Sequence, residues 1–526
     1  MEHKHIKHME KAMEKSRIEQ VRFGLGLIFI LGIMLYTASQ SGGEVSITLV
    51  IAAMVGGYMA MNIGANDVAN NVGPAVGSRA LTLGSALVIA AIFEAAGAII
   101  AGGEVVGTIR SGIINPALIP DTDTFVWIMM AALMAGALWL NIATATGAPV
   151  STTHSIVGAV LGAGIAASGT EIVNWGKMGE IAMSWVISPV MGGIVAAGFL
   201  YLIKRSITYQ TDMIGAARRV VPWLVALMAW TFTTYLLLKG LGKIMKMSVM
   251  DASLYGLAMA VAVFFFLRWR LAQPDRVLAE GKQGVNSLFT IPLIFAAALL
   301  SFAHGSNDVA NAIGPLAAIV DVYTSGGGSV HADAPIPLWV MVIGALGIAL
   351  GLALYGPKVI RTIGTEITEL DQMRAYCIAM SATITVIIAS QMGMPVSSTH
   401  IAVGGVFGVG FLREYLKKNY DRMMAEIKTH HPEGDQEAIE AFISRFARAD
   451  IATKDAMLRD LKARAKIDQD PAHFSKLERK GLRKVYRHEL VKRSQLMRIA
   501  AAWVITVPAT AVMAALIFFM IRGMVA

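Results

Sequence analysis

At 526 residues, 55% hydrophobic and only 15% charged, with a mean hydropathy of +0.59, the chain is too apolar for a soluble protein of ordinary composition, and the bilayer is its expected solvent. A single cysteine, Cys377, excludes an internal disulfide and a cysteine-built metal centre. The net charge of +9 does not point to nucleic acid, because the basic residues gather between Arg413 and Arg493 and in short loops, the distribution expected of segments kept on the cytoplasmic side of a membrane.

In chain order, apolar runs fall near 22–39, 45–63, 80–101, 126–145, 150–168, 182–203, 221–239, 249–268, 287–303, 337–356, 376–394, 399–415 and 498–521. Most approach the roughly 20 residues a spanning helix needs. The first follows a charged, His-rich stretch without a convincing small-residue cleavage motif, so it reads as an uncleaved helix. The expected class is therefore an all-α polytopic membrane protein.

Two motifs recur in the same order. Residues 62–78 contain N-I-G-A-N-D-V-A-N followed by Gly-Pro, and 303–318 contain A-H-G-S-N-D-V-A-N followed by Gly-Pro. Residues 149–154 read P-V-S-T-T-H, and 395–400 read P-V-S-S-T-H. Repetition at this scale defines two units. The expected organisation is a cytoplasmic segment with an extra helix (1–44), a first unit (45–203), connecting helices (204–286), a second unit (287–416) closed by a last helix (496–526), and a charged cytoplasmic insertion (417–495).

Loop charge places Lys204, Arg205, Arg218, Arg219, Arg268 and Arg270 on the same side as the N-terminus, so the second unit begins on the face opposite to the first. The units are expected to be inverted in topology, as in many secondary transporters, with an external C-terminus. The short breaks at Pro149 and Pro395 suit re-entrant hairpins better than two full crossings, and irregular backbone at membrane depth is tolerated where it lines a cavity.

Asp67 and Asp308 stand at matching ends of apolar segments, flanked by Asn66, Asn70, Asn307 and Asn311. Intramembrane carboxylates are costly and usually functional. Carboxylate, amide and backbone oxygens are hard ligands suited to a small cation, or to a proton carried on the carboxylate. The bland reading is a helix cap at a membrane surface. Ser151, Thr152, Thr153, Ser397, Ser398 and Thr399 place hydroxyls at two helix N-termini, where unpaired N–H groups and the dipole attract an anion; the bland reading is a pair of ordinary N-caps. His154 and His400 divide between a protonating and a structural role, Glu94 is a candidate coupling group inside 80–101, and His304, matched by Ile63, is expected to be structural. Gly158/Gly162 and Gly404/Gly408 read as close helix packing.

These duplicated motifs resemble those of the PiT family of inorganic phosphate transporters, over roughly two thirds of the chain. The resemblance implies cation-coupled uptake of orthophosphate by alternating access in the cell's cytoplasmic membrane, with a homodimer as the expected assembly and no cofactor beyond the coupling cation. It also implies phosphate ligation by Asn66, Asp67, Ser151, Thr152, Thr153, Asn307, Asp308, Ser397, Ser398 and Thr399, and cation ligation by Asn66, Asp67, Asn70, Asn307, Asp308 and Asn311. The Asn66-Asp67 pair looks more like the sodium-coupled branch, since many proton-coupled bacterial members have His-Asp there. Sulfate is the alternative substrate and H+ the alternative cation. An intramembrane hydrolase using Ser151 or Ser397 lacks a third group to complete the triad, and no Walker A loop supports ATP coupling.

Overall fold

The computed structural model describes residues 2–40, 46–148, 150–240, 247–273, 279–324, 335–366, 370–429, 445, 457 and 493–525. Among these residues no strand occurs beyond an isolated Ile114–Val173 bridge, and eleven helices are long and apolar enough to cross a membrane. The helices are α1 (Glu2–Gln40), α2 (Ile47–Asn66), α3 (Ala69–Gly77), α4 (Leu83–Ala101), the short α5 (Gly103–Gly107), α6 (Thr122–Thr146), α7 (Thr152–Ser168) and α8 (Trp175–Ile203). They continue as α9 (Met213–Lys239), α10 (Val249–Ala272), α11 (Gly281–Asp308), α12 (Ala310–Thr324), α13 (Leu338–Glu366), α14 (Gln372–Gln391), α15 (Ser398–Thr429) and α16 (Arg493–Val525). Pro149, residues 325–334 and most of the expected 417–495 insertion lie outside the described residues.

Helices of 45–203 pack against helices of 287–526. Between these two stretches the most extensive contacts are α2 with α13, α4 with α11, α7 with α16 and α8 with α15. Exchanging α2, α4, α6, α7 and α8 for α11, α13, α14, α15 and α16 maps this set of contacts onto itself. These seams run backbone to backbone. A Cβ on Gly64 would strike the Ile348 carbonyl and one on Gly351 the Met61 carbonyl, while Gly97 and Gly305 stand in the same relation to Phe302 and Glu94. Gly158 and Gly162 lie against Val507 and Ala511, and Gly404 and Gly408 against Pro189 and Gly193, so both G-x-x-x-G pairs are close-packing faces.

Large apolar side chains cover the outside, among them Val186, Ile194, Phe265, Leu346 and Phe519, all more than half exposed. A surface this apolar is disfavoured in water and is at home in hydrocarbon. Inside the outline Arg110, on a π-helical turn at Thr108–Gly112, meets Asp321 of α12 at 2.6 Å in a buried ion pair.

Several helices run past their hydropathy boundaries, α1 at its start among them. Helix α13 continues through Pro357 to Glu366, and α15 runs on to Thr429. Hydropathy marks where the chain leaves hydrocarbon, whereas intrahelical hydrogen bonds can continue beyond that depth. Helix α7, at 17 residues, is about 26 Å long, short of the roughly 30 Å hydrocarbon thickness, in keeping with a hairpin arm.

Candidate functional site

The two N-D-V-A-N segments sit at interruptions of one or two residues. Asp67 and Val68 separate α2 from α3, and Val309 separates α11 from α12. Asp67, Val68 and Val309 keep right-handed helical dihedrals, so the helix is offset there and not unwound. The neighbouring glycines allow close approach: Gly64 to α13 and Gly305 to α4. Pro74 and Pro315 lie inside α3 and α12.

The hydroxyl motifs follow the hairpin turns. Gly147 and Gly393 hold left-handed φ values of 74° and 64°, a conformation in which a Cβ is strained. Ser151 Oγ then accepts from His154 N at 3.1 Å, and Ser397 Oγ from His400 N at 3.2 Å. The cap reading is thus correct for these two serines, while the threonines beside them turn inward. Asn66 and Asn307 clasp the hairpin of their own unit. Asn66 Nδ2 donates to Thr144 Oγ1 and the Ala148 carbonyl, and Asn307 Nδ2 donates to Ser390 Oγ and the Met394 carbonyl. Asn66 Oδ1 also accepts from Val150 N, which commits that side chain to the clasp.

Across the interface the motifs of one unit meet those of the other. Thr152 Oγ1 lies 2.9 Å from both Asp67 Oδ2 and Asp308 Oδ2. Thr399 Oγ1 donates to Asp67 Oδ1, and Asn70 Nδ2 reaches Thr399 Oγ1 at 2.7 Å. The reciprocal contact is Asn311 Nδ2 to Thr153 Oγ1 at 3.2 Å. Thr153 Oγ1 donates to the Val396 carbonyl, and the His154 and His400 rings stand 4.4 Å apart, so the N-termini of α7 and α15 converge at this point. Trp185 stacks on His154.

His304, expected to be structural, stands in the charged cluster. Its Nδ1 lies 2.7 Å from Glu94 Oε2, and its Nε2 lies 3.1 Å from Asp308 Oδ2 and 3.8 Å from Asp67 Oδ2. Asn71, which the motif search did not single out, donates to Glu94 Oε1 at 2.7 Å. Asp67, Glu94, His304 and Asp308 are all 0% exposed. Three carboxylates therefore share one imidazole, and among the described residues no lysine or arginine pairs with any of them. Buried charge without compensation is costly. Ligand atoms of Asp67, His304 and Asp308 lie within 4.8 Å of one another, a spacing that can hold a cation. Asn307 Oδ1, Asp308 Oδ1, Asn311 Oδ1 and Ser398 Oγ are buried without a hydrogen-bond partner. Buried polar atoms left this way in a cluster mark a place for a ligand.

The sequence profile of the phosphate transporter family matches residues 63–514, a stretch that contains both copies of both motifs. The chain belongs to the phosphate transporter family. Within that family, a protein of Helicobacter pylori described as a "Putative phosphate permease" is 50% identical over 98% of each chain. A protein of Pyrococcus abyssi with the same description is 41% identical over 69% of this chain and 89% of its own. A solved structure, "The sodium-dependent phosphate transporter", is 30% identical, with a TM-score of 0.72, and the match covers 91% of this chain and 99% of the other. This phosphate transporter family member is accordingly a multi-pass membrane protein.

Proposed function

We propose that the protein is a symporter that concentrates inorganic phosphate across the cytoplasmic membrane, drawing on a sodium gradient, by alternating access. The observation that carries the coupling is the charge imbalance at the centre. Three carboxylates, Asp67, Asp308 and Glu94, face one imidazole in a buried cluster, so when they ionise they exceed the charge of a protonated His304, and an entering anion calls for cations to accompany it. The unpartnered oxygens of Asn307, Asp308, Asn311 and Ser398 form a hard donor set that favours sodium. The solved neighbour, itself a sodium-dependent phosphate transporter, supports the same cation. Protons are the second reading, carried by the same carboxylates.

Phosphate would be held by Thr152, Thr153, Thr399 and the amide nitrogens of Asn70 and Asn311, at the converging N-termini of α7 and α15. Glu94 and His304 bear on coupling through Asp308. Ser151 and Ser397 position the helix starts, and Asn66 positions its hairpin. The exchange symmetry of the helix contacts supports two units of inverted topology, with the N-terminus and the 417–495 insertion cytoplasmic and the C-terminus external.

The test is uptake of radiolabelled phosphate into proteoliposomes under an imposed sodium or proton gradient, with excess unlabelled sulfate. Sodium-driven accumulation that resists sulfate is expected. Proton-driven accumulation would shift the coupling to H+, and full competition by sulfate would change the substrate. Asp67→Asn and Asp308→Asn are expected to abolish accumulation in protein that still elutes as a single folded species.

A further inference from the structure

The two halves of the site are not equivalent. At the three places before the shared Asn-Asp pair, the first unit has Ile63, Gly64 and Ala65, and the second has His304, Gly305 and Ser306. Within the two shared motifs the unpartnered oxygens fall on Asn307, Asp308, Asn311 and Ser398 of the second unit, with Asn71 Oδ1 just beyond the first motif the counterpart on the other side, whereas Asp67 receives Thr152, Thr399 and Asn70, and Asn66 is fully engaged. A hydroxyl from outside both units also reaches this half. Tyr235, 3% exposed on α9, places its hydroxyl 2.9 Å from Ser306 Oγ. Ser306 gives its own hydrogen to the Ala303 carbonyl at 2.7 Å, so Tyr235 is the donor between the two hydroxyls. The Tyr235 ring stands edge-on to Phe302, which fixes its approach.

We infer that Tyr235 is a positioning residue for the Asp308 half of the site: by holding Ser306 at the last turn of α11, it sets where Asn307 and Asp308 present their oxygens. Four things carry this. Ser306 is adjacent in the chain to Asn307, and one hydrogen bond ties it to a helix that neither unit contains. The first unit has alanine at the equivalent place and no such tie. Within the motifs, the acceptors that await a ligand lie on the tied side. Helix α9 is also anchored one turn further on, where Lys239 meets Glu104 at 2.9 Å, so the donor is itself held. The inference rests on the cation-coupled reading given above.

The experiment uses the full chain in proteoliposomes and compares wild type, Tyr235→Phe, Ser306→Ala and the double variant, each over a range of sodium at saturating phosphate. Phenylalanine keeps the contact with Phe302 and removes only the hydroxyl. Loss of one neutral hydrogen bond corresponds to about a two- to tenfold change. The sodium half-saturation concentration is therefore expected to rise by that factor in Tyr235→Phe, with the maximal rate retained. The double variant is expected to match Ser306→Ala, because Tyr235 acts through that hydroxyl. A purely structural role would lower the maximal rate with the amount of folded protein and leave half-saturation unchanged; that result overturns the inference, as does a double variant whose shifts multiply. Wild-type accumulation without sodium would overturn only the sodium reading, and the same four proteins would then be titrated with protons, where an unchanged midpoint in Tyr235→Phe overturns the positioning role.

Discussion

Among the described residues Thr152 carries the one hydroxyl that touches both central carboxylates, and Thr152→Val removes it at nearly constant volume and with the same β-branched rotamer preference. The hydroxyl has a single hydrogen, so it satisfies Asp67 or Asp308 at any moment, and the loss is one bond to a charged acceptor. Such a bond is worth about 1.5–3 kcal/mol, or roughly 10- to 150-fold in an equilibrium or rate constant. Asn311 Nδ2 loses Thr152 as an acceptor but keeps Thr153 Oγ1 at 3.2 Å, so little is added from that side. Thr153→Val is the matched control: its hydroxyl donates to the neutral Val396 carbonyl, a bond of about 0.5–1.5 kcal/mol, or roughly 2- to 10-fold. Initial rates of phosphate uptake at low substrate, normalised to reconstituted protein, measure both as kcat/KM. Thr152→Val is expected to lose about tenfold more than Thr153→Val. Equal losses, or a Thr152→Val protein within threefold of wild type, would refute the bridging role.

Two further outcomes follow from buried charge. Arg110→Ala breaks a buried ion pair with Asp321, 8% exposed, and should lower unfolding stability by about 3–5 kcal/mol, whereas Lys177→Ala breaks an exposed i,i+3 pair worth at most about 1 kcal/mol; melting curves of the detergent-solubilised protein separate the two, and equal shifts would count against the distinction. His304→Gln takes away the one side chain shared by Glu94 and Asp308, so melting in sodium-free buffer should fall and added sodium should restore more of it than in wild type. Combining it with Glu94→Gln should recover part of the loss, and an unchanged melting curve in the single variant would exclude the charge argument.

Most of the site that is legible in the sequence occurs twice. Asp67 and Asp308, the threonines of the hydroxyl motifs and the glycine pairs were found by repetition, and the structure brings them together across the interface of the two units. His304 was set aside because Ile63 stands in its place in the first unit, yet it lies against two carboxylates; comparison of repeats discards unpaired residues by construction. Glu94 was found because a lone carboxylate in an apolar run is expensive, but its partners were not, since Asn71 lies 23 and His304 210 positions away. Tyr235 carried no signal at all: an aromatic residue in a connecting span looks like packing until a tertiary contact over 71 positions gives its hydroxyl a partner. The division of Ser151 and Ser397 from the threonines beside them is decided by cap geometry, which the string P-V-S-[ST]-T-H does not display.

The glycine seams also bear on how this sequence can vary. Where Gly64 and Gly351 face each other's helices, and Gly97 and Gly305 do likewise, the neighbour is a main-chain carbonyl that has no rotamer to yield. Substitution elsewhere in a core can be absorbed by a neighbouring side chain, but here even one methyl group requires two helices to part. A saturation-mutagenesis map selected for phosphate uptake should therefore show narrow stripes along α2, α4, α11 and α13 in which alanine is already too large, beside flanks that accept many residues. Drift can rewrite the lipid-facing surface freely while these lines stay fixed, which makes them the most durable record of how the two units were fitted together.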